Sequence, residues 1–282
     1  MKRVFLLITC IGALLLSACG GDSKLPTATG DGAVRAINAI PDSPDVFFLI
    51  EERVLGTAIQ YQGSSAPSTW NDFNYVFNFE IFYAGDTVST RVASQSHKVE
   101  KDRDHIFVLT GDINAPTITV WNGDIREWQG NETVLEARFS HASSSLEALG
   151  DIDIYFDEVG TALGTNPPVA TLAFGEIGDA IDFEEGEYVM TVTAAGDLNT
   201  VHFISSETNY LPVFAHVFTV FDGDGNDTAP IIVRSMTSVG NPLRLADARF
   251  PPQTRFIHSA YTLETVDIYN DDLLTSQIAA DV

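Results

Sequence analysis

The sequence predicts an all-β protein: two tandem antiparallel β-sandwich domains over residues 33–134 and 135–243, then a linker and an incomplete third module in 244–282. Three observations carry this. Apolar and polar residues alternate at period two, most clearly Phe73, Tyr75, Phe77, Phe79, Ile81 and Tyr83 against Asp72, Asn74, Val76, Asn78 and Glu80. That is the pattern of a strand with one wet face. Turns containing Gly or Pro interrupt the chain at short intervals with no long helical periodicity between them, which disfavours βαβ folds. Finally, a phrase made of an Arg, a His or Asn three residues later and then an apolar strand recurs at Arg35, Arg138 and Arg255. Its period of about 100 residues is the size of a small domain and too long for a solenoid repeat.

Taken in order, residues 1–18 read as an export signal: Lys2 and Arg3 precede an apolar run, Val4 to Leu16, that is short for a membrane span. The run ends in Leu16-Ser17-Ala18-Cys19-Gly20, which resembles the lipobox of bacterial lipoproteins. The resemblance implies cleavage before Cys19, acylation of its thiol and a lipid anchor in the cell envelope. Gly20 rather than Asp after the Cys favours the outer membrane. The other cysteine, Cys10, leaves with the signal, so no disulfide and no CxxC site is expected and the domains must be held by burial and sheet hydrogen bonds. Residues 19–32, rich in Gly, Thr, Asp and Pro, read as a flexible tether.

Strands of the first domain are expected at Arg35 to Ala39, Val46 to Ile50, Val54 to Gln60, Phe73 to Tyr83, Thr87 to Ser94, His105 to Thr110 and Thr117 to Trp121. The second domain repeats the order, with strands near 136–142, 151–156, 169–174, 179–183, 187–194, 200–205, 212–221 and 230–237. Glu185-Gly186-Glu187 is matched to the turn Ala84-Gly85-Asp86, and the Pro-rich stretch from Leu243 to Gln253 reads as a linker. The Cys pair of antibody domains is missing, so any immunoglobulin likeness concerns architecture alone.

The middle copy of the phrase is Arg138-Phe139-Ser140-His141-Ala142-Ser143, followed by the strand Ile152-Asp153-Ile154-Tyr155; the last is Arg255-Phe256-Ile257-His258, followed by Asp267-Ile268-Tyr269. With Leu172-Ala173-Phe174-Gly175-Glu176 and Gly186-Glu187-Tyr188-Val189-Met190-Thr191, it resembles the bacterial domain-of-unknown-function 4397 family. The likeness covers most of 135–240 and the stretch 254–270. In the first domain Asn38 stands for the His and Phe47 for the Asp. It implies tandem sandwich domains on exported lipoproteins and assigns no activity or catalytic residue.

A formal charge of −24 argues against nucleic acid as a partner. The G-x-S-x-G, H-E-x-x-H and P-loop signatures are absent. Asp222-Gly223-Asp224-Gly225-Asn226-Asp227 begins like a calcium loop, with Asp222, Asp224 and Asn226 as oxygen donors, but Asp227 stands where such a loop needs Gly and Val233 where it needs Glu. A Gly- and Asp-rich hairpin turn explains it equally, as it does Gly111-Asp112-Ile113-Asn114. His141 and His258 share a strand face with Phe139 and Phe256 and read as hydrogen-bonded core histidines. The acids Asp179, Asp182, Glu184, Glu185 and Glu187 read as solvated surface, and Trp70, Trp121 and Trp128 as core rings or a sugar platform.

Together these features predict a lipid-anchored, non-enzymatic envelope protein without a cofactor, acting as a binding, adhesion or spacer element toward a glycan or protein ligand. The alternatives are a carbohydrate hydrolase with paired carboxylates at the domain junction and a calcium-dependent adhesion module. The recurring Arg and Asp are expected to pair across neighbouring strands, Arg138 with Asp153 and Arg255 with Asp267, with Arg35 turning to Asp45.

Overall fold

The computed structural model describes residues 26–224, 229–237 and 243–250, and the backbone of two short strands beyond them. The first unit holds β1 (Asp31–Asn38), β2 (Val46–Ile50), β3 (Arg53–Ile59), β4 (Ser68–Asn71), β5 (Asn74–Ile81), β6 (Thr90–Lys98), β7 (Arg103–Asp112) and β8 (Ala115–Asp124). These form two sheets, ordered β4-β1-β7-β8 and β3-β2-β5-β6. The second unit holds β9 (Val134–His141), a short helix α1 (Ser144–Glu147), β10 (Ile152–Glu158), β11 (Ala170–Leu172), β12 (Ile181–Glu184), β13 (Gly186–Ala194), β14 (Asp197–Ile204), β15 (Thr208–Tyr210), β16 (Ala215–Asp222), β17 (Ile231–Thr237) and β18 (Leu243–Leu245). Its sheets are β12-β9-β16-β17-β18 and β11-β10-β13-β14, with β15 also on β13. Beyond it, β19 (Ile268–Tyr269) pairs with β20 (Gln277–Ala279).

The protein is therefore all β, and its two units share one strand order. They share register as well: Arg35 lies opposite Ile106 and Arg138 opposite Val217, in the parallel pairs β1–β7 and β9–β16. The other ladders are antiparallel among the described residues. One parallel pair per unit is possible because its two strands, β1 and β7 or β9 and β16, are separated by ample chain for a crossover.

Each unit buries the facing sides of its two sheets. In the first, Phe48, Phe77, Phe79 and Phe107 meet in one core, with the Phe77 and Phe107 ring centroids 4.2 Å apart. In the second, Phe139 stacks on Phe218 at 5.4 Å and meets Phe156 from the opposite sheet at 5.6 Å. The period-two pattern of β5 explains its part: Phe77, Phe79 and Ile81 are fully buried, while Tyr83, beyond the strand end, is exposed.

A third core lies between the units. Ile37, Ala39, Ile106, Val108 and Trp121, on the back of the sheet holding β1, pack against Ala142, Val217, Phe221, Ile232 and Met236, on the back of the sheet holding β9. The four sheets thus stack, with the two Arg-bearing sheets inside. The contacts across this junction are partly reciprocal: Arg35 Nη1 donates to the Thr237 carbonyl and Arg138 Nη2 to the Asp124 carbonyl, each at 3.4 Å. Trp121 Nε1 donates to the Gly175 carbonyl at 2.7 Å, and Tyr61 Oη and Gln62 Nε2 both donate to the Asp222 carbonyl at 2.9 Å.

Several expectations are corrected here. Arg138 and Asp153 do not pair, because β9 and β10 lie in different sheets and the chain crosses between them through α1. Asp153 instead accepts from Thr171 Oγ1 at 2.5 Å and from the Gly196 amide at 2.7 Å. Arg35 pairs with Asp104 at 2.7 Å and not with Asp45. Glu185 to Glu187 joins β12 to β13, so the turn matching Ala84 to Asp86 is the β13–β14 hairpin at Ala195-Gly196. Residues 244–250, expected as linker, belong to the second unit. Leu243–Leu245 adds β18 to its inner sheet, and Arg249 ties the fully buried Asp247 carboxylate to the Val201 and His202 carbonyls of β14.

Candidate ligand-binding cleft

Where the two inner sheets meet, at the end where β1 begins and β8 finishes, they enclose a cleft of about 170 Å³. Strand alternation sends the side chains of Arg35 and Arg138 out of the backs of their sheets, so the repeated arginines of both units reach the same cleft. Arg35 is only 6% exposed, and Asp104, its neighbour on β7, balances its charge at 2.7 Å. Even so, Arg35 Nε and Asp104 Oδ1 are both buried without a hydrogen-bond partner among the described residues.

On the facing wall Arg138 Nε lies 3.6 Å from Glu136, and Arg126 approaches Glu136 at 3.8 Å and pairs with Asp182. Arg126 also covers the Trp128 ring, its guanidinium carbon 4.1 Å from the ring centroid, a cation–π contact that fixes the indole at the mouth. Buried Trp121 contributes to the lining. Gly123 leaves room for Arg138: a Cβ there would meet the guanidinium and displace it.

The other candidate residues lie elsewhere. Trp70 packs on Tyr75, with Arg53 over its face at 5.4 Å, outside the cleft. Asp179, Asp182, Glu184, Glu185 and Glu187 are exposed, and of these Asp182 alone reaches toward the junction, through Arg126. Asp153 and Tyr155 are buried in the outer sheet of the second unit. Cys19, Asn226, Arg255, His258 and Asp267 lie outside the described residues, as does the side chain of Tyr269.

Asp222, offered as a calcium ligand, caps α1. Its carboxylate accepts from the hydroxyls of Ser143, Ser144 and Ser145 and from the amides of Ser144 and Ser145. Burial raises its pKa, but the serine hydrogen bonds outweigh that and hold it below the usual carboxylate range. Asp224 is exposed. No group of three or more His, Cys, Asp or Glu side chains suited to a metal occurs among the described residues.

His141 is fully buried. Its Nδ1 accepts from the Ser143 amide at 3.3 Å, which leaves the ring proton on Nε2, where no partner meets it among the described residues. Burial lowers its pKa to about 4, and burial does the same to His216, whose Nδ1 lies 2.8 Å from Ser235 Oγ. In the first unit His105, at the position of His216, takes the Glu100 amide on Nε2 at 2.9 Å and sets Nδ1 against Asn122 at 2.7 Å. Ser235, the hydroxyl partner of His216, is itself buried. Sequence reasoning had singled out Arg138, Trp121 and Trp128 but missed Asp104, Gly123, Arg126 and Glu136, because only the stacking of the units brings them to one place.

No family model matches the chain, and no curated protein matches it.

Proposed function

We propose that this chain is a lipid-anchored protein of the bacterial cell envelope, held at the outer membrane through Cys19. It is built of tandem β-sandwich domains with immunoglobulin-like architecture, like those of the domain-of-unknown-function 4397 family, and acts as a non-enzymatic binding element. One observation supports binding over a spacer role: the repeated arginines of both units converge with Trp128 on one cleft, and a buried charged side chain there has a polar atom left unbonded. Spacer modules gain nothing from such a site, since a buried polar atom without a partner costs about 1–3 kcal/mol. Hydrolysis of a glycoside needs two carboxylates facing each other across the bond. Here Asp104, Glu136 and Asp182 are each bridged to an arginine.

Two measurements test the reading. The wild-type protein is expected in the detergent phase and Cys19→Ala in the aqueous phase; identical partitioning of the two would remove the anchor. For the cleft, a soluble envelope extract is expected to raise the melting temperature of the mature protein, and Gly123→Ala, which displaces Arg138, to abolish the rise. A rise of equal size in both proteins, or none in either, would take binding away from this site.

A further inference from the structure

We infer that the cleft takes a neutral saccharide unit, a conclusion that rests on the binding role proposed above and names its ligand class. The walls set donors beside acceptors: the guanidinium groups of Arg35, Arg126 and Arg138 alternate with the carboxylates of Asp104, Asp124 and Glu136. A carboxylate or phosphate could satisfy the donors but not the acceptors, and an ammonium the acceptors but not the donors. A hydroxyl both gives and takes a hydrogen bond, so a hydroxyl, or a vicinal pair, suits both kinds of group.

Charge points the same way. Asp104, Asp124 and Glu136 line the same walls as Arg35, Arg126 and Arg138, and the chain as a whole carries −24. An anion would meet these carboxylates and a repulsive long-range field, and a cation would meet three guanidinium groups. A wholly apolar ligand would leave the buried polar atoms unsatisfied. What remains is a neutral molecule with hydroxyls on its edge and an apolar face for an aromatic ring. Trp128 supplies the ring: Arg126 occupies one face, and the indole is only partly buried. The volume, about 170 Å³, lies below the range of roughly 300–1,000 Å³ usual for drug-sized ligands, so the cleft accommodates about one sugar ring.

The test is isothermal titration of the full mature protein, in a detergent without a sugar head group, with glucose, galactose, mannose, N-acetylglucosamine and glucuronate. At least one neutral sugar is expected to bind saturably at millimolar concentration, with glucuronate at least about tenfold weaker than its neutral counterpart. Trp128→Ala and Gly123→Ala are each expected to weaken that binding about tenfold or more, Trp128→Phe by less, and Trp70→Phe not at all. Each variant's melt shows that it is folded, and Trp128→Phe, which keeps a ring, stands in should Trp128→Ala fail to fold. Failure of all four neutral sugars, tighter binding of glucuronate, or affinity unchanged by both cleft variants would each overturn the saccharide assignment. A Gly123-dependent response to envelope extract alongside that failure would leave the binding role standing and remove only the ligand class.

Discussion

Asp222→Ala is expected to destabilise the protein by about 3 kcal/mol, the summed loss of several hydrogen bonds to a charged acceptor. In a chain of this size that corresponds to a melting temperature lower by about 6–12 °C. The residue ends β16 and holds two parts of the fold together. Its carboxylate gathers Ser143, Ser144 and Ser145 at the start of α1, with the Ser144 hydroxyl at 2.7 Å and the Ser145 amide at 3.2 Å. Its carbonyl receives Tyr61 and Gln62 from the first unit, and Gln62 Oε1 in turn accepts from Arg234 at 3.2 Å. Alanine keeps the carbonyl but strips the serine amides and hydroxyls of their acceptor. Asn keeps one acceptor oxygen without the charge, so Asp222→Asn should fall between alanine and wild type. Urea denaturation of the three proteins measures this, and a loss below about 0.5 kcal/mol for alanine would show that water replaces the carboxylate at little cost. The same melts with calcium and with chelator should superimpose, because this carboxylate is already committed to the serines; a rise with calcium would restore the metal-loop reading of residues 222–227.

How much of this could be read from the chain depends on how far apart in sequence the interacting groups lie. The strands were legible because burial on one face imposes period two: β5 and β13 appear in the residues nearly as they appear in the fold. The repeat was legible too, since Arg35 and Arg138 occupy one register position in two units of the same strand order. What failed is partner choice. Arg138 and Asp153 are close in sequence and suited in charge, yet α1 carries the chain to the other sheet between them. The serines that bind Asp222 precede it by 77 to 79 positions, so its D-x-D-x-N context pointed to a metal. The cleft needs residues from both units. Alternation showed that Arg138 leaves the core face of β9, but that this second face is covered by the first unit follows only from the apolar character of Ile106, Val108, Val217 and Met236, which period two alone does not single out.

Acid should unfold this protein earlier than its carboxylates alone would dictate, with stability falling between about pH 6.5 and 4. His141 and His216 have pKa values near 4, against an ordinary 6.5 once exposed, and burial is the main cause in both. Asp222 and Asp151 pull His141 upward and His202 pushes it down, without reversing the effect of burial. His97 and His202 are lowered in the same direction, again chiefly by burial. Because the folded pKa lies below the unfolded one, the unfolded chain takes up the proton first. Stability is therefore complete above pH 6.5, declines as pH falls through the interval, and levels off near pH 4, where both states are protonated. The fully buried His141 contributes at most about 3 kcal/mol across that window, and the partly exposed His216 less. The carboxylates with lowered pKa, among them Asp222 and Asp197, lose their contribution at lower pH, below the ordinary carboxylate range. Relief of the −24 net charge on acidification would act the other way, but repulsion between surface charges is screened within about 8 Å at physiological salt. Urea melts at about 0.15 M salt, taken at steps from neutral pH down to the bottom of the histidine window, should show the decline, with proton uptake on unfolding. His141→Gln should flatten it by the larger share and His216→Gln by the smaller. A stability independent of pH across this range, or a slope that both substitutions leave unchanged, would mean that these rings are not held neutral in the folded protein.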